Sequence, residues 1–208
     1  MKKVLKKIVT GIMRFFLFSP YMSKILAIRF NQLYTIWQSQ ELNKTGEFLY
    51  ICYPLYLHGG KYITFGESFS CEQRLRLDAL DKFLGEIFNP EIIIGNNVSI
   101  QKDCHIAAIN KIIIGNNVLI ASKVYISDHS HGETTKDNLL LPPGQRKLYS
   151  KGPVVIEDNV WLGEGVVVLA GVTIGENSIV GANAVVTKSL PKNCVAVGNP
   201  ARIIKEIK

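Results

Sequence analysis

Aliphatic residues return at every sixth position through much of the second half of the chain. Two positions before most of them stands another small or apolar residue, such as Val118 or Val166, and a glycine often follows. A period of six matches neither the 3.6-residue repeat of a helix nor the two-residue alternation of an ordinary strand. The positions that define this repeat are Ile94, Ile100, Ile106, Ile114, Ile120, Ile126, Ile156, Leu162, Val168, Ile174, Val180 and Val186.

This repeat predicts short strands joined by tight turns, three of which close one triangular coil. The aliphatic residue would point inward and stack on its counterpart in the next coil. The segments IGNN, IEDN and IGEN supply glycine and asparagine, which favour tight-turn conformations. We therefore predict an all-β fold, a left-handed parallel β-helix over residues 63–190, in which Phe65, Cys71 and Leu77 form an earlier and weaker part of the repeat.

Three segments depart from the repeat. Residues 128–152 lack its aliphatic positions and contain Pro142, Pro143 and Gly144, which predicts a loop extruded from the coil. Long loops on a rigid scaffold usually carry function or are disordered, and we interpret this one as an active-site loop. Residues 41–62 are predicted to connect into the first coil, and residues 191–208 to form a tail of a short strand and a helix.

Residues 1–40 form a separate basic, helical segment, and its first half is amphipathic. Its lysines and Arg14 face away from apolar residues at three- and four-residue steps, a pattern typical of interfacial helices. Arg14 also interrupts the apolar run that a signal peptide needs, and no stretch reaches the roughly 20 apolar residues of a spanning helix. We expect residues 1–18 to cap the β-helix, to contact the inner membrane surface peripherally, or both. The apolar positions are Val4, Leu5, Ile8, Val9, Ile12, Phe15 and Phe16.

The net charge of +7 comes entirely from this N-terminal segment, which has seven basic residues and no acidic one. The remainder holds 17 basic and 17 acidic residues, so a nucleic-acid partner is not expected. Four cysteines show no zinc or disulfide spacing, which favours buried thiols in a reducing compartment and thus a cytoplasmic location. If residues 1–18 bind lipid, the protein would be peripheral to the inner face of the cytoplasmic membrane.

Two segments resemble the hexapeptide-repeat acyltransferases of the maltose and galactoside acetyltransferase type. They are IGNNVLIASKVYISDHSHG and VVIEDNVWLGEGVVVLAGVTIGENSIVGANAVVTKSLPKNCVAVGNPARII. Within that family the chain is most similar to bacterial O-acetyltransferases of O-antigen and capsule. The resemblance is close over about residues 92–205 and loose before them. It implies acetyl-CoA as donor substrate, no metal, and a homotrimer with sites between subunits.

The resemblance also implies a catalytic histidine at His131, with His129 as the alternative base. The reaction needs a group that takes a proton from a hydroxyl while the oxygen attacks a thioester, and histidine titrates close to working pH. Asp128 or a main-chain carbonyl could fix the histidine tautomer. A zinc site on Asp128, His129 and His131 is a weaker alternative, because His58 and His105 are not placed to complete it.

Further contacts follow from the same resemblance. Trp161 would line the site beside the thioester, or pack in an ordinary subunit contact. Gln101 stands where relatives commonly have an asparagine that holds the acceptor sugar, and Asp103 could share that role. The remaining positions implied to contact coenzyme A, through main-chain groups or through phosphates, are Gly163, Ala182, Thr187, Lys188, Arg202 and Lys205.

We therefore predict direct acetyl transfer to a hydroxyl of a surface polysaccharide or of its lipid-linked precursor. The basic N-terminus suits an acceptor at an anionic membrane surface. An enzyme that acetylates a free sugar or small alcohol is one alternative. A non-catalytic β-helix scaffold is the alternative from another functional class. Acetylation of an amino-sugar nucleotide is disfavoured, because relatives of that kind usually carry an added nucleotide-binding domain.

Overall fold

A computed structural model describes residues 2–208, with the side chains of residues 2–15 and 19–208. Two α-helices, α1 (Lys2–Phe18) and α2 (Pro20–Ser39), precede a parallel β-helix. Its strands form three sheets, and the chain passes through sheets A, B and C in that order once per coil. Parallel pairing of successive coils fits the predicted left-handed β-helix.

The strand bounds follow the three sheets. Sheet A consists of β1 (Lys44–Thr45), β4 (Ile63–Phe65), β9 (Glu91–Ile94), β12 (Lys111–Ile114), β17 (Val154–Ile156) and β20 (Thr173–Ile174). Sheet B consists of β2 (Tyr50–Ile51), β5 (Ser70–Cys71), β10 (Ser99–Ile100), β13 (Leu119–Ile120), β18 (Trp161–Leu162), β21 (Ile179–Val180), β23 (Cys194–Val197) and β24 (Arg202–Glu206). Sheet C consists of β3 (Leu55–His58), β6 (Leu75–Ala79), β11 (His105–Ala108), β14 (Tyr125–Ser127), β19 (Val167–Val168) and β22 (Val185–Val186).

The repeat positions form the core, as predicted. All twelve aliphatic positions are at most 1% exposed, and each lies opposite its counterpart in the next coil, as Ile100 does opposite Ile120. The small or apolar residues that precede them, such as Val118 and Val166, are buried as well. The six-residue period therefore reports burial directly, since one residue per short strand faces the axis.

Asparagines stabilise the corner between sheets A and B. Asn97, Asn117 and Asn159 each have a φ of 54° to 59°, a left-handed conformation that most L-residues avoid. Their side chains hydrogen-bond from coil to coil, with Asn97 Nδ2 donating to Asn117 Oδ1 and Asn117 Nδ2 donating to Asn159 Oδ1, both over 3.1 Å. Asparagine thus satisfies both the turn geometry and the stacking.

The β-helix begins earlier than the predicted boundary at residue 63. Residues 41–62, expected as a connector, contain β1, β2 and β3, and these strands pair in parallel with β4, β5 and β6. Thr45, Ile51 and Leu57 lie opposite Phe65, Cys71 and Leu77, so the six-residue spacing persists. The repeat is harder to recognise in this first coil because Thr45, at one of its inward positions, is not aliphatic.

Helix α2, rather than α1, covers the open end of the first coil. Tyr34, Thr35 and Gln38 are buried, and the Thr35 hydroxyl accepts a hydrogen bond from the Ile51 N–H over 2.9 Å. The Tyr34 hydroxyl accepts one from the Leu55 N–H over 3.0 Å. These side chains satisfy edge-strand donors that would otherwise be free to pair with another chain.

All described side chains of α1, residues 2–15, are exposed. Phe16, which belongs to the same sequence pattern, lies outside the described side chains. No described helix is by itself long and apolar enough to cross a bilayer. The segments Lys2–Phe15 and Pro20–Ser39 have the required length and apolar composition only when they are counted together, and a bend of 71° separates them.

The C-terminal tail contains strands where a helix was expected. After β23, the chain turns back as β24, which pairs antiparallel with β23 and forms the last strand of sheet B. A helix over residues 202–206 would leave the free edge of β23 without these hydrogen bonds.

Two insertions leave the coil at the same corner, between sheets C and A. The first, residues 80–90, contains the β7–β8 hairpin, formed by β7 (Lys82–Phe83) and β8 (Glu86–Ile87). The second, residues 128–152, is called the histidine loop below. It contains β15 (Ser130–His131) paired antiparallel with β16 (Leu148–Tyr149), and between them the short helix α3 (Lys136–Leu139).

Candidate active site

Asp128 fixes the start of the histidine loop. Its side chain is fully buried where the chain leaves β14. One carboxylate oxygen accepts the Ile109 N–H over 3.0 Å, and the other accepts the Asn110 N–H over 2.8 Å. Residues 109 and 110 form the turn from sheet C to sheet A in the preceding coil, so Asp128 ties the loop to the coil below it.

His129 lies against this carboxylate. Its Nδ1 is 3.0 Å from Asp128 Oδ1, and because an ionised carboxylate only accepts, the ring donates this hydrogen bond. The Ser127 hydroxyl donates to the His129 carbonyl over 3.1 Å. The His129 side chain is 10% exposed within one chain. The Asp128 carboxylate therefore contacts the ring of His129.

His131 projects from β15 into solvent. Its backbone lies opposite Leu148, and its ring packs edge-on against Phe83, with 5.5 Å between ring centroids and 73° between ring planes. Within the described part of the chain, neither ring nitrogen of His131 has a hydrogen-bond partner. The ring is thus oriented by an aromatic contact while both nitrogens stay accessible.

The β7–β8 hairpin brings Phe83 to this position. Lys147 of the histidine loop and Glu86 of the hairpin form an ion pair, with 2.6 Å between Nζ and Oε1. An open cleft of ≈ 440 Å³ lies where the two insertions meet the coil, lined by Phe88, Asn89, Ile109, Asn110, Leu148, Tyr149 and Ser150.

This hairpin was not predicted from the sequence, although the spacing of the inward positions indicates it. The inward positions Phe65 and Ile94 are 29 residues apart, whereas Ile94 and Ile114 are 20 apart. The first interval therefore contains an extra segment that must leave the coil.

Trp161 lies on another face of the β-helix. It points outward from sheet B, is 48% exposed, and stands in register between Leu119 and Ile179 of the adjacent coils. The nearby corner between sheets B and C holds Gly163, where a Cβ would lie 2.7 Å from the Ala182 main-chain nitrogen. Gly163 thus has a packing role between coils besides the contact that the resemblance implies.

The other predicted donor contacts cluster at the C-terminal end of the β-helix. Ala182, Thr187 and Lys188 are exposed in its last turns, and Arg202 and Lys205 are exposed on β24. Trp161 and β24 belong to the same sheet, so an elongated ligand could contact both. The three basic side chains provide positive charge for phosphate groups.

The two predicted acceptor contacts lie at the corner between sheets B and C. Gln101 is half-buried in this turn. Asp103 is already engaged, because its carboxylate accepts two hydrogen bonds from Arg74, over 2.6 and 2.8 Å. The hydrogen bond from the Arg74 guanidinium is the main cause that holds the pKa of Asp103 below its usual range.

His105 takes part in a different cluster. Its Nε2 lies 2.9 Å from Asp78 Oδ2, and its ring packs edge-on against Tyr125. Burial lowers the pKa of His105 and outweighs the opposing hydrogen bond to Asp78. We therefore describe this contact as a neutral imidazole donating to a carboxylate rather than as an ion pair. Among residues 2–208, no three His, Cys, Asp or Glu side chains are grouped so that they could hold a metal ion.

A single chain does not bring all the predicted residues together. The two histidines follow sheet C at the corner to sheet A, whereas Trp161, Arg202 and Lys205 lie on sheet B and Gln101 at the opposite end of sheet C. The candidate base and the candidate donor contacts thus occupy different faces of one β-helix.

Comparison with known proteins agrees with this architecture. Residues 153–188 match the model of the bacterial transferase hexapeptide family (six repeats). The chain is 44% identical over 160 residues to the putative lipopolysaccharide biosynthesis O-acetyl transferase WbbJ of Escherichia coli, covering 75% of this chain and 78% of that protein. The chain belongs to the hexapeptide-repeat acyltransferases.

Solved structures of this acyltransferase family agree with the assignment. The maltose O-acetyltransferase of Clostridium difficile is 37% identical, with a TM-score of 0.59 over 71% of this chain and 72% of that one. A galactoside acetyltransferase in complex with coenzyme A is 29% identical, with a TM-score of 0.54 over 82% of this chain and 68% of that one. The protein is therefore an enzyme, an acyltransferase, and not a non-catalytic β-helix scaffold.

Proposed function

We propose that the protein transfers an acetyl group from acetyl-CoA to a hydroxyl of lipopolysaccharide, of another surface polysaccharide, or of the lipid-linked precursor. The observation that carries this proposal is the 44% identity, over most of both chains, to a putative lipopolysaccharide biosynthesis O-acetyl transferase. The acetyl-CoA donor is supported by the similarity to a galactoside acetyltransferase that binds coenzyme A. The enzyme would act in the cytoplasm, at the inner face of the membrane.

His131 is the proposed general base. Its ring is exposed, and its nitrogens have no hydrogen-bond partner among the described residues, which suits a group that must meet an incoming hydroxyl. The base takes the hydroxyl proton as the oxygen attacks the thioester carbonyl, and the tetrahedral oxyanion formed is stabilised by main-chain N–H donors. Collapse of this intermediate breaks the carbon–sulfur bond, yields the acetyl ester, and returns the proton to the leaving thiolate.

His129 is the alternative base. Its hydrogen bond to Asp128 would stabilise the protonated ring, as in a base held by a carboxylate. Its low exposure within one chain instead favours a role in anchoring the histidine loop.

The complete site would lie between two subunits of a trimer. Because the histidine loop and Trp161 are on different faces, the loop of one subunit would meet sheet B of its neighbour. Trp161 would then contact the donor beside the thioester. Gly163 and Ala182 would contribute main-chain groups, and Thr187, Lys188, Arg202 and Lys205 would meet the phosphate end. Gln101 is the proposed acceptor contact; Asp103 contributes less, since Arg74 already holds it.

The test is acetyl-CoA turnover with lipid-linked glycans and with free sugars, using His131→Ala, His129→Ala and the exposed His58→Ala as matched control. We expect His131→Ala to lower kcat by about 10²–10⁴-fold, the usual contribution of a general base, and His58→Ala to leave it unchanged. Full activity of His131→Ala with loss in His129→Ala would reassign the base. Turnover with free sugars but not with lipid-linked glycans would show that the acceptor is a small sugar, contrary to the proposed glycan acceptor.

A further inference from the structure

Helix α1 contributes none of its described side chains to the hydrophobic core. Its neighbour α2 holds the open end of the first coil through buried Tyr34 and Thr35, whereas every described side chain of α1 is exposed. The exposed side chains include large apolar ones, with Leu5 at 63% and Ile12 at 52%. Exposed contiguous apolar surface of this kind marks an interaction site.

The two faces of α1 differ sharply in chemistry. At 100° per residue, Ile8, Ile12 and Phe15 fall together on one side, and Lys3 and Lys7 on the opposite side. The whole N-terminal segment, residues 1–40, has no acidic side chain. A protein groove could cover the apolar face, but the positive charge of the lysines would remain without a partner. An anionic surface complements both faces at once.

We propose that α1 lies in the surface of an anionic lipid bilayer, with its apolar face in the acyl boundary and its lysines at the headgroups. Each lysine near such a surface strengthens binding about fivefold. Because α2 is fixed to the coil, α1 binds without crossing, and the 71° bend between the helices sets it across the direction of α2.

Membrane binding would concentrate the enzyme beside a lipid-linked glycan. This consequence rests on the proposed function. The binding itself does not depend on the acceptor, so it is measured without acetyl-CoA or glycan.

The experiment is co-sedimentation of the full chain with vesicles of phosphatidylcholine alone or with phosphatidylglycerol added. The variants are Lys6→Gln with Lys7→Gln, and Ile8→Ser with Ile12→Ser. The matched control, Lys44→Gln with Lys192→Gln, removes the same charge from exposed sites on the coil. We expect binding only to the anionic vesicles, about 25-fold weaker in the lysine variant, about 100-fold weaker in the isoleucine variant, and unchanged in the control.

Equal binding to neutral vesicles, no binding at all, or equal loss in the control would overturn the proposal. A changed oligomeric state of the isoleucine variant in the absence of lipid would also overturn it and assign α1 to a subunit contact. Turnover of a soluble acceptor tests the proposed function separately and should be the same in all three variants.

A second, independent observation concerns Phe83. Its ring is 5.5 Å from that of His131, and its hairpin is tied to the histidine loop by the Glu86–Lys147 ion pair. We infer that Phe83 is a positioning residue, which holds His131 in one orientation. This inference rests on His131 as the proposed base.

Phe83→Ala tests this inference, with Phe83→Tyr as the conservative variant. Loss of an aromatic pair predicts that kcat falls about 3- to 10-fold with KM for acetyl-CoA unchanged, and that tyrosine restores kcat. Unchanged kcat in Phe83→Ala, or no rescue by tyrosine, would overturn the inference. If His131→Ala kept its activity, the proposed base would fail instead, whatever Phe83→Ala showed.

Discussion

Removing the Asp128 carboxylate should destabilise the protein through the two main-chain donors that it satisfies. In Asp128→Ala, the Ile109 N–H stays buried without a partner, which costs about 1–3 kcal/mol, and the partly buried Asn110 N–H adds about 1 kcal/mol. We expect a loss of about 2–4 kcal/mol. For a chain of this length, that corresponds to a fall in Tm of about 4–16 °C.

Asp128→Asn separates the contributions. An amide keeps one acceptor oxygen but turns its NH₂ group towards the other main-chain donor. We therefore expect a loss of about 1–2 kcal/mol, smaller than that of the alanine variant. The matched control is Asp137→Asn, an exposed carboxylate on α3 of the same loop, which should change stability by less than about 0.5 kcal/mol.

The assay is thermal unfolding followed by circular dichroism at one fixed protein concentration, since an oligomer's Tm depends on it. Hydrogen exchange of residues 128–152 shows whether the loop opens locally before the coil unfolds. A Tm for Asp128→Ala within about 2 °C of wild type, together with unchanged exchange in the loop, would refute the anchoring role.

Three further predictions concern the coil. Asn117→Ala should lower Tm more than Asn117→Gly, because alanine also pays about 1 kcal/mol or more for the left-handed conformation; the reverse order would contradict the turn argument. The lowered pKa of His105 means that the unfolded chain takes up its proton first, so the free energy of unfolding should fall as pH drops below about 6.5, and less so in His105→Gln. The four cysteines are buried and should react with dithiobis-nitrobenzoate only on unfolding; burial raises the pKa of the Cys104 thiol to about 11.

The core was predictable from sequence because its period couples each residue directly to burial. Ile100 and Ile120 are six-residue positions and face one another across adjacent coils. The first coil was missed although Thr45, Ile51 and Leu57 keep the same spacing, because a polar residue at one of three positions breaks the pattern. The last strand, β24, was predicted as a helix because its pairing depends on the free edge of β23.

The site was predictable only in part. The sequence predicts His131 and His129 as candidate bases and Asp128 as an orienting group, but it does not tell which ring Asp128 contacts. Contact of Phe83 with His131 joins residues 48 positions apart and requires both insertions to leave the coil at the same corner. No local sequence pattern predicts this contact, since it depends on the number of residues in each coil.

Transfer of labelled acetyl from acetyl-CoA to a lipid-linked glycan fraction, followed by treatment with mild alkali, tests the proposed O-acetylation of a glycan directly. We expect label in the glycan that alkali releases, as it would from an ester, and no label in the glycan with His131→Ala. Label that resists alkali would indicate an amide and acetylation of an amine. Label that stays on coenzyme A with every hydroxylated acceptor would contradict the proposed O-acetyl transfer.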